Sequence, residues 1–187
     1  MESEVNISKG KVLIAEPFSN NIHFRRSVVF LCEHSAEGGT IGFVLNKKTS
    51  LTIHELVEDF PEFEATIFYG GPVATSTLHY IHNVGEILDE SIEVCQGVYW
   101  GGDFEKLKFL IRSKLVSPKN VRFYIGYSGW SEGQLKEEME HGSWYIDDAF
   151  ANYIFKSDPT HLWRQVLNNR GDTFSVIAQM PDTTSMN

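Results

Sequence analysis

Residues 26–47 read RSVVFLCEHSAEGGTIGFVLNK. Two runs inside this stretch, VVFLC at 28–32 and IGFVL at 41–45, are unbroken in their apolar character. Successive strand side chains point to opposite faces, so a strand wetted on one side alternates apolar with polar. A continuous apolar run needs cover on both faces. The stretch therefore predicts two strands, Val28–Glu33 and Ile41–Asn46, buried inside a layered domain.

Working outward, β-branched and aromatic runs predict further strands at Val12–Ala15, Thr66–Tyr69, Leu78–His82, Ile92–Val98, Val121–Tyr127, Trp144–Ile146 and Phe174–Gln179. Helices are fewer. TIHELVEDF opens with Thr52 and Glu55 at capping-box spacing and carries Ile53, Leu56, Val57 and Phe60 on one stripe. DFEKLKFLIRSKL starts at an Asp103 cap and would turn Phe104, Leu107, Leu110, Ile111 and Leu115 to the core. DDAFANYIF and DPTHLWRQVLNN both begin at aspartates, the second with Pro159 suited to the first helical position and Gly171 beyond the end. Strands interspersed with short helices read as α+β, not a regular βαβ series.

The chain has 187 residues, 42% of them hydrophobic, 13% aromatic and 22% charged, a composition suited to one packed domain over 1–187. Residues 1–10 and 181–187 are expected to be flexible. Net charge is −9, which lowers the prospect of binding a phosphate backbone. The acidic opening MESEVNIS lacks the basic-then-apolar pattern of a secretory signal, and no apolar run reaches membrane-spanning length. A cytoplasmic, membrane-free location is the expectation, with Cys32 and Cys95 as reduced thiols.

YSGWSEGQLKEE, residues 127–138, concentrates the unusual chemistry. Ser131 and Gln134 have capping-box spacing, Leu135 and Met139 form a stripe, and Gly129 and Gly133 frame Trp130. Gly129 would supply a positive φ, and Gly133 near a helix start suggests close approach by another group. The reading is an aromatic turn whose surface, around Tyr127, Trp130, Gln134 and Trp144, contacts a partner.

FRRSVVFLCEH, GTIGFVLNK, YGGPV, GGDFEKL and GYSGWSEGQLKEE, in this order, resemble the YqgE/AlgH family of small bacterial proteins. The likeness spans Lys11 to Gln179. It implies a single compact α+β domain with a mixed, irregular sheet, partly barrel-like, surrounded by short helices. One branch of the family is associated by name with control of alginate production, which carries the label of transcriptional regulator. Relatives tend to have Gly after the tryptophan; Ser131 here favours the capping role.

Other constellations are weaker. HYIH places His79 and His82 on opposite faces of a strand, so a metal site with Cys32 and His34, which share strand parity, does not converge. No serine or cysteine has an activating neighbour at a usable spacing, and the GGP and GGD turns lack nucleotide-loop patterns. Catalytic residues, metal and cofactor are therefore all read as none. Lys106, Lys108, Arg112, Lys114, Lys119 and Arg122 stand against Glu105 alone over 104–122.

Three functions follow. The first is a non-enzymatic regulatory or binding module with a protein or small-molecule partner. The second is a hydrolase or transferase acting on a small anionic metabolite through Arg26, Glu33 and His34. The third is a nucleic-acid-associated regulator using the basic helix 104–115, without sequence-specific DNA reading, since no helix-turn-helix or zinc module accompanies it.

Overall fold

The computed structural model describes residues 6–182. Its ten strands are β1 (Lys11–Ala15), β2 (Val28–Ser35), β3 (Gly39–Val44), β4 (Lys48–Thr52), β5 (Thr66–Tyr69), β6 (Val73–His82), β7 (Ile92–Cys95), β8 (Val98–Trp100), β9 (Val121–Trp130) and β10 (Trp144–Asp148). Its six helices are α1 (Ile53–Leu56), α2 (Phe104–Arg112), α3 (Gln134–Glu140), α4 (Ala151–Phe155), α5 (Leu162–Asn169) and α6 (Asp172–Ala178). The sheet runs β10-β1-β2-β3-β9-β6-β8-β7, with β5 parallel to β9 and β4 antiparallel to β5. It curls into a half-barrel. At the end of the order, β7 returns toward the segment before β1, where Lys9 Nζ donates to Glu93 O at 3.0 Å. This is the mixed, partly barrel-like α+β domain that the family resemblance implies; the α+β class itself also follows from the residue patterns.

The unbroken apolar strands are covered twice, as their pattern requires. Val28, Phe30 and Cys32 of β2 face the half-barrel interior with Phe43, Tyr124 and the α4–α5 residues Tyr153, Trp163 and Leu167. Val29 and Leu31 face the other way, into a layer closed by α3 through Leu135. A third core, under α1 and α2, gathers Ile53, Phe60, Leu107, Leu110 and Phe123.

Several local expectations give way. Residues 174–178 lie in α6 rather than a strand. The predicted strand Ile92–Val98 is two strands, reversed at Gly97 with φ +73° and paired Cys95 to Val98. β4 carries no strand signal in the sequence because its run KTSLT is mostly polar and none of its residues is buried. α1 stops at Leu56, although Thr52 and Glu55 do form the capping box. Asp103 caps α2 by accepting from Lys106 N at 2.9 Å. α2 ends at Arg112, and Lys114 takes a positive φ of 59°. That turn exposes Leu115 and buries Val116 instead. Asp147 and Asp148 belong to β10, so α4 is preceded by Phe150, and α5 follows His161 rather than starting at Pro159.

The glycine-rich stretch before α3 is strand, not loop: β9 runs through to Trp130. Gly126 has φ +65°, and a Cβ there would sit 2.5 Å from Gly71 O. A Cβ on Gly71 would in turn lie 2.3 Å from the Tyr127 carbonyl. The glycines of YGGPV and GYSG are thus two halves of one backbone contact, sealed by buried Ser128 donating to Gly70 O at 3.0 Å.

Candidate functional site

Ser131 does not cap α3. The chain turns over Ser131–Gln134, with Gln134 N donating to Ser131 O at 3.1 Å, and Gly133 precedes the helix at φ +75°. Half of the expected capping box survives: Ser131 N donates to Gln134 Oε1 at 3.1 Å. Nothing approaches within 4 Å of a Cβ built on Gly133, so its left-handed backbone, not a close neighbour, explains the glycine. Gly129 is not among the positive-φ glycines.

Trp130 is not an exposed recognition face. It is 4% exposed and Trp144 5%, and the two rings meet edge-on at 5.9 Å with Phe24 against both. Both indoles donate to one oxygen, Glu138 Oε2, at 3.0 and 2.8 Å. The other carboxylate oxygen accepts from Gln134 Nε2 at 3.0 Å. One acid on α3 therefore satisfies two buried N–H groups from two strands, and charge-assisted bonds of this kind are the stronger ones. The network clamps α3 onto the sheet. Tyr127 lies on the opposite face of β9, where its ring meets His79 at 5.9 Å, so the four expected contact residues do not form one surface.

Beside the clamp runs an open groove of about 1320 Å³, lined by His34, Ser35, Thr40, Ser131, Leu135, Lys136 and Met139 among others. A β-bulge carries His34 into it. The pairing slips between Leu31↔Gly42 and Glu33↔Ile41, so Cys32 has no partner of its own. The extra residue reverses the alternation beyond it. Cys32 stays inside the half-barrel, while His34 pairs with Thr40, next to Trp130, on the α3 side. This removes the shared face that strand parity gave Cys32 and His34. The imidazole Nδ1 bonds to Thr40 Oγ1 at 2.8 Å. Lys136 and Glu140 on α3 add one charge of each sign to the rim, neither in an ion pair among the described residues.

Arg26, Glu33 and His34 do not converge. Arg26 precedes β2 and His34 lies near its far end, about 25 Å apart at the usual strand rise. Glu33 is exposed, and Arg26 stacks over Trp163 at 4.7 Å. The α2 cations are partly committed. Lys106 pairs with Asp89 at 3.6 Å and Lys108 with Glu105 at 2.6 Å, Arg112 reaches Asp59 O at 3.5 Å, and Lys114 stands exposed past the helix end. Among the described residues no three His, Cys, Asp or Glu groups are placed to hold a metal. His82 is fully buried, donating from Nε2 to Gly101 O at 2.7 Å and accepting from Val84 N at 3.2 Å. Burial holds its imidazole below the ordinary range, and does the same to His79. Burial likewise pushes the Cys32 and Cys95 thiols up, away from nucleophilic reactivity.

Sequence reading missed Glu138, Thr40 and Lys136. Glu138 was legible in principle, four residues after Gln134 on the same helix face. Thr40 was not, because its place depends on the bulge.

The fold and this α3 groove define a class: small α+β half-barrel proteins with one helix clamped across a buried strand pair. The chain belongs to the AlgH-like family, whose model matches residues 12–175. It is 39% identical over 188 residues to a UPF0301 protein of Chlorobaculum parvum, covering all of both chains. A UPF0301 protein of Cytophaga hutchinsonii is 42% identical over 182 residues, 97% of this chain and 100% of the relative. Among solved structures, a Corynebacterium diphtheriae protein is similar with a TM-score of 0.78 at 19% identity, over 95% of each chain. The AlgH protein from Pseudomonas aeruginosa is similar with a TM-score of 0.74 at 24% identity, over 97% of this chain and 98% of that one. These two likenesses concern the fold. No helix among the described residues is long and apolar enough to cross a membrane.

Proposed function

We propose that this protein is a cytoplasmic, non-enzymatic binding module with a regulatory role, and that the α3 groove receives a segment of a protein partner. The groove itself carries the reading. Small-molecule sites are usually enclosed and occupy about 300–1,000 Å³. This one is larger, at about 1320 Å³, and only partly enclosed. Its lining combines apolar Leu135 and Met139 with the hydrogen-bonding groups of His34, Ser131 and Lys136. An extended segment with alternating apolar and polar side chains matches that lining. The spread of Arg26, Glu33 and His34 argues against a shared anion-processing pocket, and the pairing of the α2 cations weakens the nucleic-acid reading.

The test is capture from bacterial lysate on immobilised protein, with Met139→Glu as the groove variant and Lys114→Glu as a distant control. Proteins retained by wild type and by Lys114→Glu are expected to be lost from Met139→Glu. Retention of the same proteins by all three would remove the groove from consideration.

A further inference from the structure

The opposite end of β2 holds a concentration of positive charge in a chain whose net charge is −9. Arg25 and Lys47 line a cleft of about 430 Å³ with Ser19, Asn20, Ile22 and Asp182. That size suits a small ligand. Arg26 and Arg164 stand close behind, near enough for the field of Arg164 and of Arg25 to act on the Arg26 guanidinium. Like charges brought together cost free energy unless an anion compensates. Asp182 brings a carboxylate to this cluster, pairing its Oδ1 with Arg25 Nη2.

Arg26 and Lys47 bond to backbone carbonyls. Arg26 stacks on Trp163 and donates from Nη2 to Met180 O at 2.6 Å, while its buried Nε has no partner among the described residues. A half-buried guanidinium with an inaccessible, unmatched Nε and no carboxylate bonded to it among the described residues leaves positive charge at this end of β2 for an anion to meet. Lys47 Nζ donates to Ile22 O at 3.1 Å and His23 O at 2.6 Å, using two of its three donors. These bonds tie Lys47 to the 19–23 loop that lines the cleft. Burial and the charge on Arg25 both press the Lys47 ammonium toward losing its proton, a pressure that a bound anion would relieve.

We propose that this cleft is an oxyanion site, built by Arg25 and Lys47 with Arg26 and Arg164 behind them, that takes the phosphate or carboxylate group of a small ligand. In the unliganded chain Asp182 supplies the anion in place of that ligand. The segment Met180–Asp182 lies across the arginines as a tethered competitor. A tethered group competes at an effective concentration set by its short link to α6. Ligand binding therefore exchanges one carboxylate for another oxyanion and releases the segment after α6. The site is at the far end of β2 from the α3 groove and does not depend on it.

The test is titration with inorganic phosphate at constant ionic strength, followed by backbone amide shifts, on wild type and on Asp182→Asn. Amide dispersion first verifies that each variant is folded. Saturable shifts are expected at Ser19, Asn20, Arg25 and Lys47 in Asp182→Asn. Wild type should need about 5-fold more phosphate because Asp182 must be displaced. Adding Arg25→Gln to Asp182→Asn should abolish saturation, with Lys47→Gln in its place if the first double variant does not fold. A parallel acetate series separates the ligand sources, since a phosphate site saturates at lower phosphate than acetate and a carboxylate site does the reverse. Shifts that stay linear to roughly 50 mM in Asp182→Asn, or that survive loss of Arg25, would overturn the proposal.

Discussion

At the scale of the residue, two glycines that look alike in the sequence have unlike reasons to be there. Gly126 and Gly133 both have positive φ, but only Gly126 is pressed against backbone. Gly133→Ala carries the left-handed penalty alone, about 1–2 kcal/mol. Gly126→Ala adds a Cβ 2.5 Å from a carbonyl oxygen that is itself fixed in the sheet. Chemical denaturation should show Gly133→Ala folded and modestly weakened, and Gly126→Ala weakened by more than about 3 kcal/mol or failing to fold. Equal losses would mean that the Gly71–Gly126 contact is not what the glycines serve. A periodicity argument reaches apolar stripes and caps, but not contacts between backbones distant in sequence. YGGPV and GYSG could be singled out as unusual, and their mutual packing could not be read.

At the scale of the element, α3 is held by chemistry rather than by helix propensity. It has seven residues, too few to be stable alone. What fixes it is Leu135 in the core and Glu138 under two indoles. Replacing Glu138 with Ala leaves two buried N–H donors unsatisfied, each costing roughly 1–3 kcal/mol. Hydrogen exchange should speed up across residues 134–140 in Glu138→Ala while β2 and β3 stay protected. Unchanged protection in α3 would contradict the clamp.

The same element shows where sequence reading stops. The Leu135–Met139 stripe was legible because it has helical period. Trp130 read as exposed because a tryptophan between glycines looks like a turn, yet the strand continues through it and its alternation points the ring inward. His34 went to an unexpected face because one extra residue at Cys32 shifted the alternation, and a bulge leaves no mark in a single sequence. The continuous apolar strands, by contrast, carried the fold class without help from any turn.

At the scale of the whole molecule, pH acts through imidazoles packed into the sheet. Burial lowers the pKa of His79 and of His82 in the folded chain below the ordinary 6.5; the bond to Gly101 offsets part of this for His82. Below pH 6.5 the unfolded chain therefore binds more protons than the folded one, and stability falls as pH falls. Their stabilising contribution is complete above that value and declines toward the folded pKa values. The depressed carboxylates, Glu55 and Asp158, titrate below 4.5 and 3.8 and act outside this window. The urea midpoint should drop between about pH 7.5 and about pH 5.5, and His79→Gln, at the more accessible ring, should remove part of the drop. A midpoint that is flat or rises on acidification would contradict the neutral burial of both rings.

The groove between β2, β3 and α3 as the binding surface is best tested by mapping backbone amide shifts in the isotope-labelled protein as a captured partner protein, purified, is added. The predicted result is perturbation concentrated at His34, Ser35, Thr40, Ser131, Lys136 and Met139, with the indole N–H signals of Trp130 and Trp144 still protected by Glu138. Perturbation centred on α2 or on the outer face of β4, with the groove silent, would contradict it.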